Sequence, residues 1–255
     1  MQKFILPTIL CVIVNFCVAA PFEKSADITP IQVANVSGKV FRYPQVSLKN
    51  LEATSLINAA IEARIKAKLI ASFGVTDQTD INLSDLLLQS NVRISEMNYK
   101  VMYNGRGFLS LTVLTQTANN ELKPNLYLNF NTTNGKELQI GDLFSEAQEN
   151  NILDNFRYQV QMRGEDFFTA FAKNNKLSAQ QNELMTLFLE ELSDAMPQGF
   201  TIGNSGLTLI SDFSDFQKTL GKQPKKEFLY NNSFVKPMFR PEISAMLATS
   251  LTEQE

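Results

Sequence analysis

VRISEMNYKVMYNGRGFLSLTVLTQT, residues 92–117, holds two β-rich runs, Val92–Tyr103 and Phe108–Thr117, around Asn104-Gly105-Arg106-Gly107. Asn-Gly between such runs marks a hairpin, because tight primed turns need positive φ, which Asn and Gly adopt cheaply. A second signal follows at Asn125–Asn131, Thr132-Thr133-Asn134-Gly135 and Lys136–Ile140. Two hairpins in succession predict an antiparallel meander.

Upstream, Gly38–Tyr43 reads as a strand that stops at Pro44. Ile57, Ile61, Ile65, Leu69 and Phe73 then recur every fourth residue, with Leu51, Ala53, Leu56 and Ala60 widening the row. That spacing makes one apolar stripe on a helix, capped by Asn50 and ended by Gly74. Downstream, the helical period returns over 145–162, 165–174 and 178–195, with the last helix largely buried. Ser145 with Gln148 and Ser178 with Gln181 have capping-box spacing. Strands follow at Gly199–Ile202, Leu207–Ser211 and Glu227–Tyr230, then a short helix over Ser233–Phe239. Residues 20–37 read as a flexible N-terminal segment, and the chain from Pro241 onwards as a frayed tail. The class is α+β: an antiparallel sheet with meander hairpins, packed against amphipathic helices.

The first residues, MQKFILPTILCVIVNFCVAA, have a basic start at Lys3, an apolar core and small residues at Ala19-Ala20. This is the pattern of a secretory signal peptide cleaved near Ala19. Both cysteines, Cys11 and Cys17, fall inside it, and the whole chain has no His and no Trp. The chain after cleavage is therefore cysteine-free, and no later run reaches the roughly 18 apolar residues of a membrane span. An exported protein, periplasmic or secreted, is expected. An apolar share of 44% with nineteen Phe fits a packed core. Losing Lys3 with the leader moves the formal charge from −3 to about −4, which offers no electrostatic basis for nucleic acid.

Without His or a retained Cys, a Ser-His-Asp triad, a Cys-His dyad and a Cys- or His-built zinc site are excluded. Ser233-Phe234-Val235-Lys236 fits Ser-x-x-Lys, but Pro237 interrupts its helix and helix capping by Ser233 is the better account. Glu190-Glu191 and Glu165-Asp166 are neighbouring carboxylates on amphipathic helices, where a solvated face explains them. Asp77–Asp85 is rich in oxygen ligands but lacks the glycine and terminal Glu of an EF-hand loop, so turn and cap roles are preferred. No metal or cofactor is expected. The candidate ligand-binding set is Phe213, Phe216, Lys222, Lys225, Lys226 and Tyr230, an aromatic and basic surface for a sugar or protein. Its plainer account is core packing plus solvated lysines.

Several short motifs follow one another along the chain: Phe41-Arg42-Tyr43-Pro44-Gln45-Val46, Ile57-Asn58-Ala59-Ala60-Ile61, Tyr103-Asn104-Gly105 and Leu109-Ser110-Leu111. Leu126-Tyr127-Leu128-Asn129-Phe130-Asn131, Thr133-Asn134-Gly135-Lys136 and Ile140-Gly141-Asp142-Leu143-Phe144 follow, then Phe200-Thr201-Ile202 and Gly206-Leu207-Thr208-Leu209. This order resembles bacterial exported proteins that pair a DUF4163 domain with a DUF3298 domain. The resemblance implies a DUF4163-like region over 38–120 and a DUF3298-like region over 121–243, with a tail at 244–255. It departs from the family at Asp212–Phe216, where a Tyr-containing turn rich in Pro and Gly is usual. Members stand alone, beside polysaccharide deacetylase domains, or as the lysozyme-sensing outer part of an anti-sigma factor. It thus implies a non-catalytic envelope binding or sensing module, with a lysozyme-like protein or peptidoglycan as partner. A carboxylate-dependent hydrolase of envelope polysaccharide and an envelope assembly factor are the alternatives. Oligomeric state is left open.

Overall fold

A computed structural model describes residues 24–34, 38–73, 82–88, 94–117 and 125–247. The leader, Gly74, most of the 76–84 loop and residues 248–255 lie outside the described residues. The fold is α+β. Five strands form one sheet in the order β1-β2-β3-β4-β5: β1 (Asp27–Ala34), β2 (Val40–Ser47), β3 (Ile94–Gly105), β4 (Phe108–Thr117) and β5 (Leu126–Asn131). Every neighbour pair is antiparallel except β2 and β3, whose parallel register is the single pair Phe41 and Met97.

The first hairpin forms, but its tight turn is Arg106-Gly107, both at positive φ, while Asn104 and Gly105, expected to make the turn, end β3 paired with Leu109 and Phe108. The second does not complete. After β5 the return arm makes only two backbone bonds, Asn131 N–H to Lys136 and Leu138 N–H to Asn129, at 2.9 and 2.7 Å. The chain then enters α3 (Ile140–Leu143), because Gln139 and Asp142 form a capping box. Lys136 closes the unit with a 2.6 Å ion pair to Asp142. Burial alone would raise the Asp142 pKa, but the Lys136 and Gln139 hydrogen bonds and the charges of Lys136 and Arg240 hold it below the usual value.

Two expectations at the N-terminal side are corrected. The segment expected to be flexible contains β1, which pairs along its whole length with β2. Nor does β2 stop at Pro44: it continues to Ser47, with Pro44 directly opposite Pro30. Two facing prolines can exchange no N–H···O bond, so this is a position at which the ladder needs none.

The helix α1 (Leu51–Phe73) covers one face of the sheet. Ile57, Ile61, Ile65 and Leu69 are buried against Phe41, Leu109, Leu111, Val113, Leu128 and Phe130. Asn50 caps the helix through the amides of Glu52 and Ala53. Leu51 and Leu56 are exposed rather than part of the stripe. Asn58 bonds both backbone groups of Val46 at 2.8 Å, supplying what the short β2–β3 pairing leaves unmade. Lys68, also on α1, has its Nζ buried with no hydrogen-bond partner among the described residues.

Burial pulls the Lys68 pKa from 10.5 to about 8. Between those values the unfolded chain holds more protons than the folded one, so this lysine makes stability rise with pH across that window. Below about pH 8 the cost of burying the charge is fully expressed. Lys68→Met is therefore expected to stabilise the protein by about 2 kcal/mol at pH 7 and to flatten the rise between pH 8 and 10, read by urea denaturation across pH.

The second sheet has the order β6-β7-β8: β6 (Gly199–Gly203), β7 (Gly206–Ile210) and β8 (Glu227–Asn231). Helices α4 (Glu146–Asn174) and α5 (Ala179–Glu191) pack behind it. One continuous α4 replaces the two helices expected on either side of Gly164. The glycine does not break it; a Cβ there would lie 2.4 Å from Leu192 Cδ1, so it marks close packing. Ser178 and Gln181 form their capping box, whereas Ser145 caps α4 without a side-chain bond. Only Met185 of α5 is buried, so that helix lies half in solvent. The chain beyond Pro241, expected to fray, forms α8 (Pro241–Leu247), which buries Ile243 and Leu247.

The two sheets meet edge to face. Ile202 N–H donates to Ser110 Oγ at 3.2 Å, and Asn129 Nδ2 donates to the Phe200 carbonyl at 2.8 Å. The free edge of β6 thus rests on the face of the first sheet opposite α1. One of the two angles so formed is filled by the second core, including Tyr103, Phe108, Phe156 and Phe228. The other is open.

Candidate functional site

The six residues expected to form a binding surface are divided by the fold. Phe213 and Phe216 are each 1% exposed and meet edge to face at 5.5 Å, and Phe213 also contacts Phe228. Tyr230 is buried as well. Burial pushes its hydroxyl well above the usual range, against the opposing charge of Arg163. Lys222 and Lys225 are exposed and Lys226 is half-buried. The rings therefore serve the core, and these residues do not share one surface.

The polar candidates are placed just as plainly. Asn231, not Ser233, caps the short helix α7 (Asn232–Val235), and Ser233 donates to the Asn231 side chain at 2.7 Å. Glu190 and Glu191 are exposed on α5, while Glu165 accepts a hydrogen bond from Gln161. Asn82 and Asp85 cap α2 (Leu83–Leu88) through each other. Among the described residues, no three of His, Cys, Asp and Glu gather as a metal site.

Concavity is found instead in the open angle between the sheets, a cleft of about 700 Å³. On the first sheet its lining includes Lys100, Thr112 and Tyr127, which lie in one cross-strand row. On the second the row is Thr201, Thr208 and Leu229. Hydroxyls from both rows face the same space. Leu229 is 57% exposed and Leu114 is 39% exposed, so two large apolar side chains, one from each wall, meet solvent in one cleft. Singly exposed leucines need no explanation, but a pair within a concave site marks a surface fit for a ligand. The β3 strand carries an irregularity between Val101 and Tyr103 at this wall, a place where bulges re-aim side chains.

Electrostatics at the cleft are mixed. Lys100 and Lys225 supply positive charge and Glu227 the one carboxylate among its described lining residues. Burial raises the Tyr127 pKa, opposed by a hydrogen bond with Asn125 and reinforced by Glu227. Tyr127 also fixes the neighbouring backbone: a Cβ on Gly199 would fall 2.6 Å from its ring. Behind β8, Arg163 donates to the carbonyls of Lys225 and Glu227, both at 2.8 Å, and stands 3.6 Å over the Phe228 ring. That clamp holds the β8 wall in place.

No family model matches the sequence, and no curated protein does. Among solved structures, it is similar to the crystal structure of a DUF3298 family protein from Pseudomonas aeruginosa, at TM-score 0.45 and 12% identity. The match covers 88% of this chain and 97% of the other.

Of the six residues expected to bind a ligand, only Lys225 lines the cleft. Thr112, Thr201 and Thr208 carry a usable signal: each interrupts an apolar run on a predicted strand, facing away from its apolar neighbours. The angle between the sheets, which turns those hydroxyls toward one another, has no local sequence signature.

Proposed function

We propose that this chain is an exported, non-catalytic binding module of the DUF3298 kind, facing the bacterial envelope, with its ligand in the cleft between the sheets. The ligand is a lysozyme-like protein or a cell-wall glycan. The observation that carries this reading is exposed Leu114 and Leu229, one on each wall, beside threonine hydroxyls in one concave site. Apolar contact area with a few convergent polar groups is what a binding cleft offers. Hydrolysis of a glycan needs two carboxyl groups across the bond, and Glu227 stands alone among the described lining residues. The motifs from Phe41 to Leu209 supply the family and the envelope setting by resemblance.

The test is a pull-down with residues 20–255 against lysozyme and against insoluble peptidoglycan, at about 0.15 M salt to screen simple charge attraction. One of the two is expected to capture the chain. Leu229→Asp alters an exposed side chain, so it is expected to keep the fold and reduce capture about tenfold. Capture of neither, or capture indifferent to Leu229→Asp, overturns the assignment. Stable co-purification with another envelope protein in that case would favour an assembly role.

A further inference from the structure

A second pocket, of about 450 Å³, lies at the tip of the β3–β4 hairpin, away from the cleft. Its lining includes Lys24, Lys49 and Arg106, one cation from each of three separate segments, with the hydroxyls of Ser25, Thr132 and Thr133. No acidic residue is among its described lining residues. The chain as a whole has 26 acidic against 23 basic residues, so this concentration runs against its overall balance. Three cations around one concavity repel one another and focus a positive potential into it, and an anion bound there relieves the repulsion.

The pocket is held from several sides. Gly107 N–H donates to Ser25 Oγ and Thr132 N–H to the Gly107 carbonyl, both at 2.8 Å. Asn104 bonds both backbone groups of Ala26, which ties the N-terminal wall to the hairpin. Asn50 Nδ2 reaches the Thr133 carbonyl at 3.1 Å and joins the fourth segment. Arg106 itself sits at φ 39. Gly or Asn would occupy that turn position without the steric cost an arginine meets there. An arginine is thus kept, at some cost, in the lining of a cationic pocket.

We propose that this pocket is a binding site for a phosphoryl group. A guanidinium fork matches phosphate oxygens in geometry, and the two ammonium groups add point charge. The hydroxyls of Ser25 and Thr133 supply neutral donors. Three positive charges are matched by a multiply charged phosphoryl anion and underfilled by a single carboxylate. The site is independent of the inter-sheet cleft, and its ligand goes beyond the function proposed above.

Titration of the full chain after leader removal with inorganic pyrophosphate, followed by calorimetry at low salt, tests this. Saturable 1:1 binding is expected, weakening as salt rises, and galacturonate, a carboxylate sugar, is expected to bind at least about tenfold more weakly. Arg106→Gly is expected to weaken pyrophosphate about tenfold with no loss of thermal stability, since glycine suits the turn. Lys222→Gln removes an exposed charge elsewhere and is expected to change nothing. Absence of saturable binding, equal affinity for galacturonate, or equal weakening by Lys222→Gln and Arg106→Gly would each overturn the site.

Discussion

Gly206→Ala is expected to destabilise the protein by about 4 kcal/mol. Gly206 opens β7 after the Asn204-Ser205 turn, at φ +138, where a side chain is strained whatever the space around it. There is no space either. A Cβ would fall 2.1 Å from the Tyr230 carbonyl oxygen and 3.0 Å from Asn231 Cα. Both obstacles are backbone, so no rotamer change relieves them. Moving β8 away would cost its ladder with β7, including the pair of Leu207 with buried Tyr230. A lower urea midpoint with an unchanged slope is the expected signature. A variant within about 1 kcal/mol of the parent would show that β8 does not lie against Gly206 as described.

Phe213→Ala is expected to cost about 4 kcal/mol, close to the upper range for an aromatic truncated in a packed core. The ring is enclosed by Phe216 and Phe228, and the space left would be lined by side chains that are themselves pinned. For a chain of this size the fall in Tm is roughly 10 °C. Lys222→Ala, at an exposed position, is expected to stay within about 0.5 kcal/mol. The contrast separates the two readings of this region. A surface ring that contacts a ligand would show the reverse: stability unchanged and binding lost.

Local chemistry explains which elements were legible. The α1 stripe is a four-residue period carried by branched aliphatics, and the glycines of 104–107 mark a turn between two β-rich runs, so neither needed tertiary information. Gly164 is the opposite case. It reads as a break because a glycine inside a helix is costly, and only the approach of Leu192 explains why the cost is accepted. The β1 strand was invisible because Pro30 demotes a strand by propensity, while an edge position opposite another proline accommodates it. The α8 helix depended on distant partners: Arg240, just before it, bonds the Leu143 carbonyl at 2.9 Å, far from it in sequence. The cleft between the sheets was beyond local reading for the same reason. Its two walls belong to different sheets, and only the seating of β6 on Ser110 and Asn129 sets their angle.

That seating also bears on how the protein behaves when concentrated. A sheet edge with free N–H and C=O groups invites a strand from another copy, the first step toward fibrous aggregation. Here each of the four outer strands is blunted by a different device. The β1 edge carries Pro30, and β5 is covered by the short arm at Lys136–Leu138. The β6 edge is occupied by the side chains of Ser110 and Asn129, and β8 has carbonyls at its start held by Arg163. Truncating Asn129 or Ser110 would thus do more than loosen the joint between sheets: it would uncover β6 as a template for self-association.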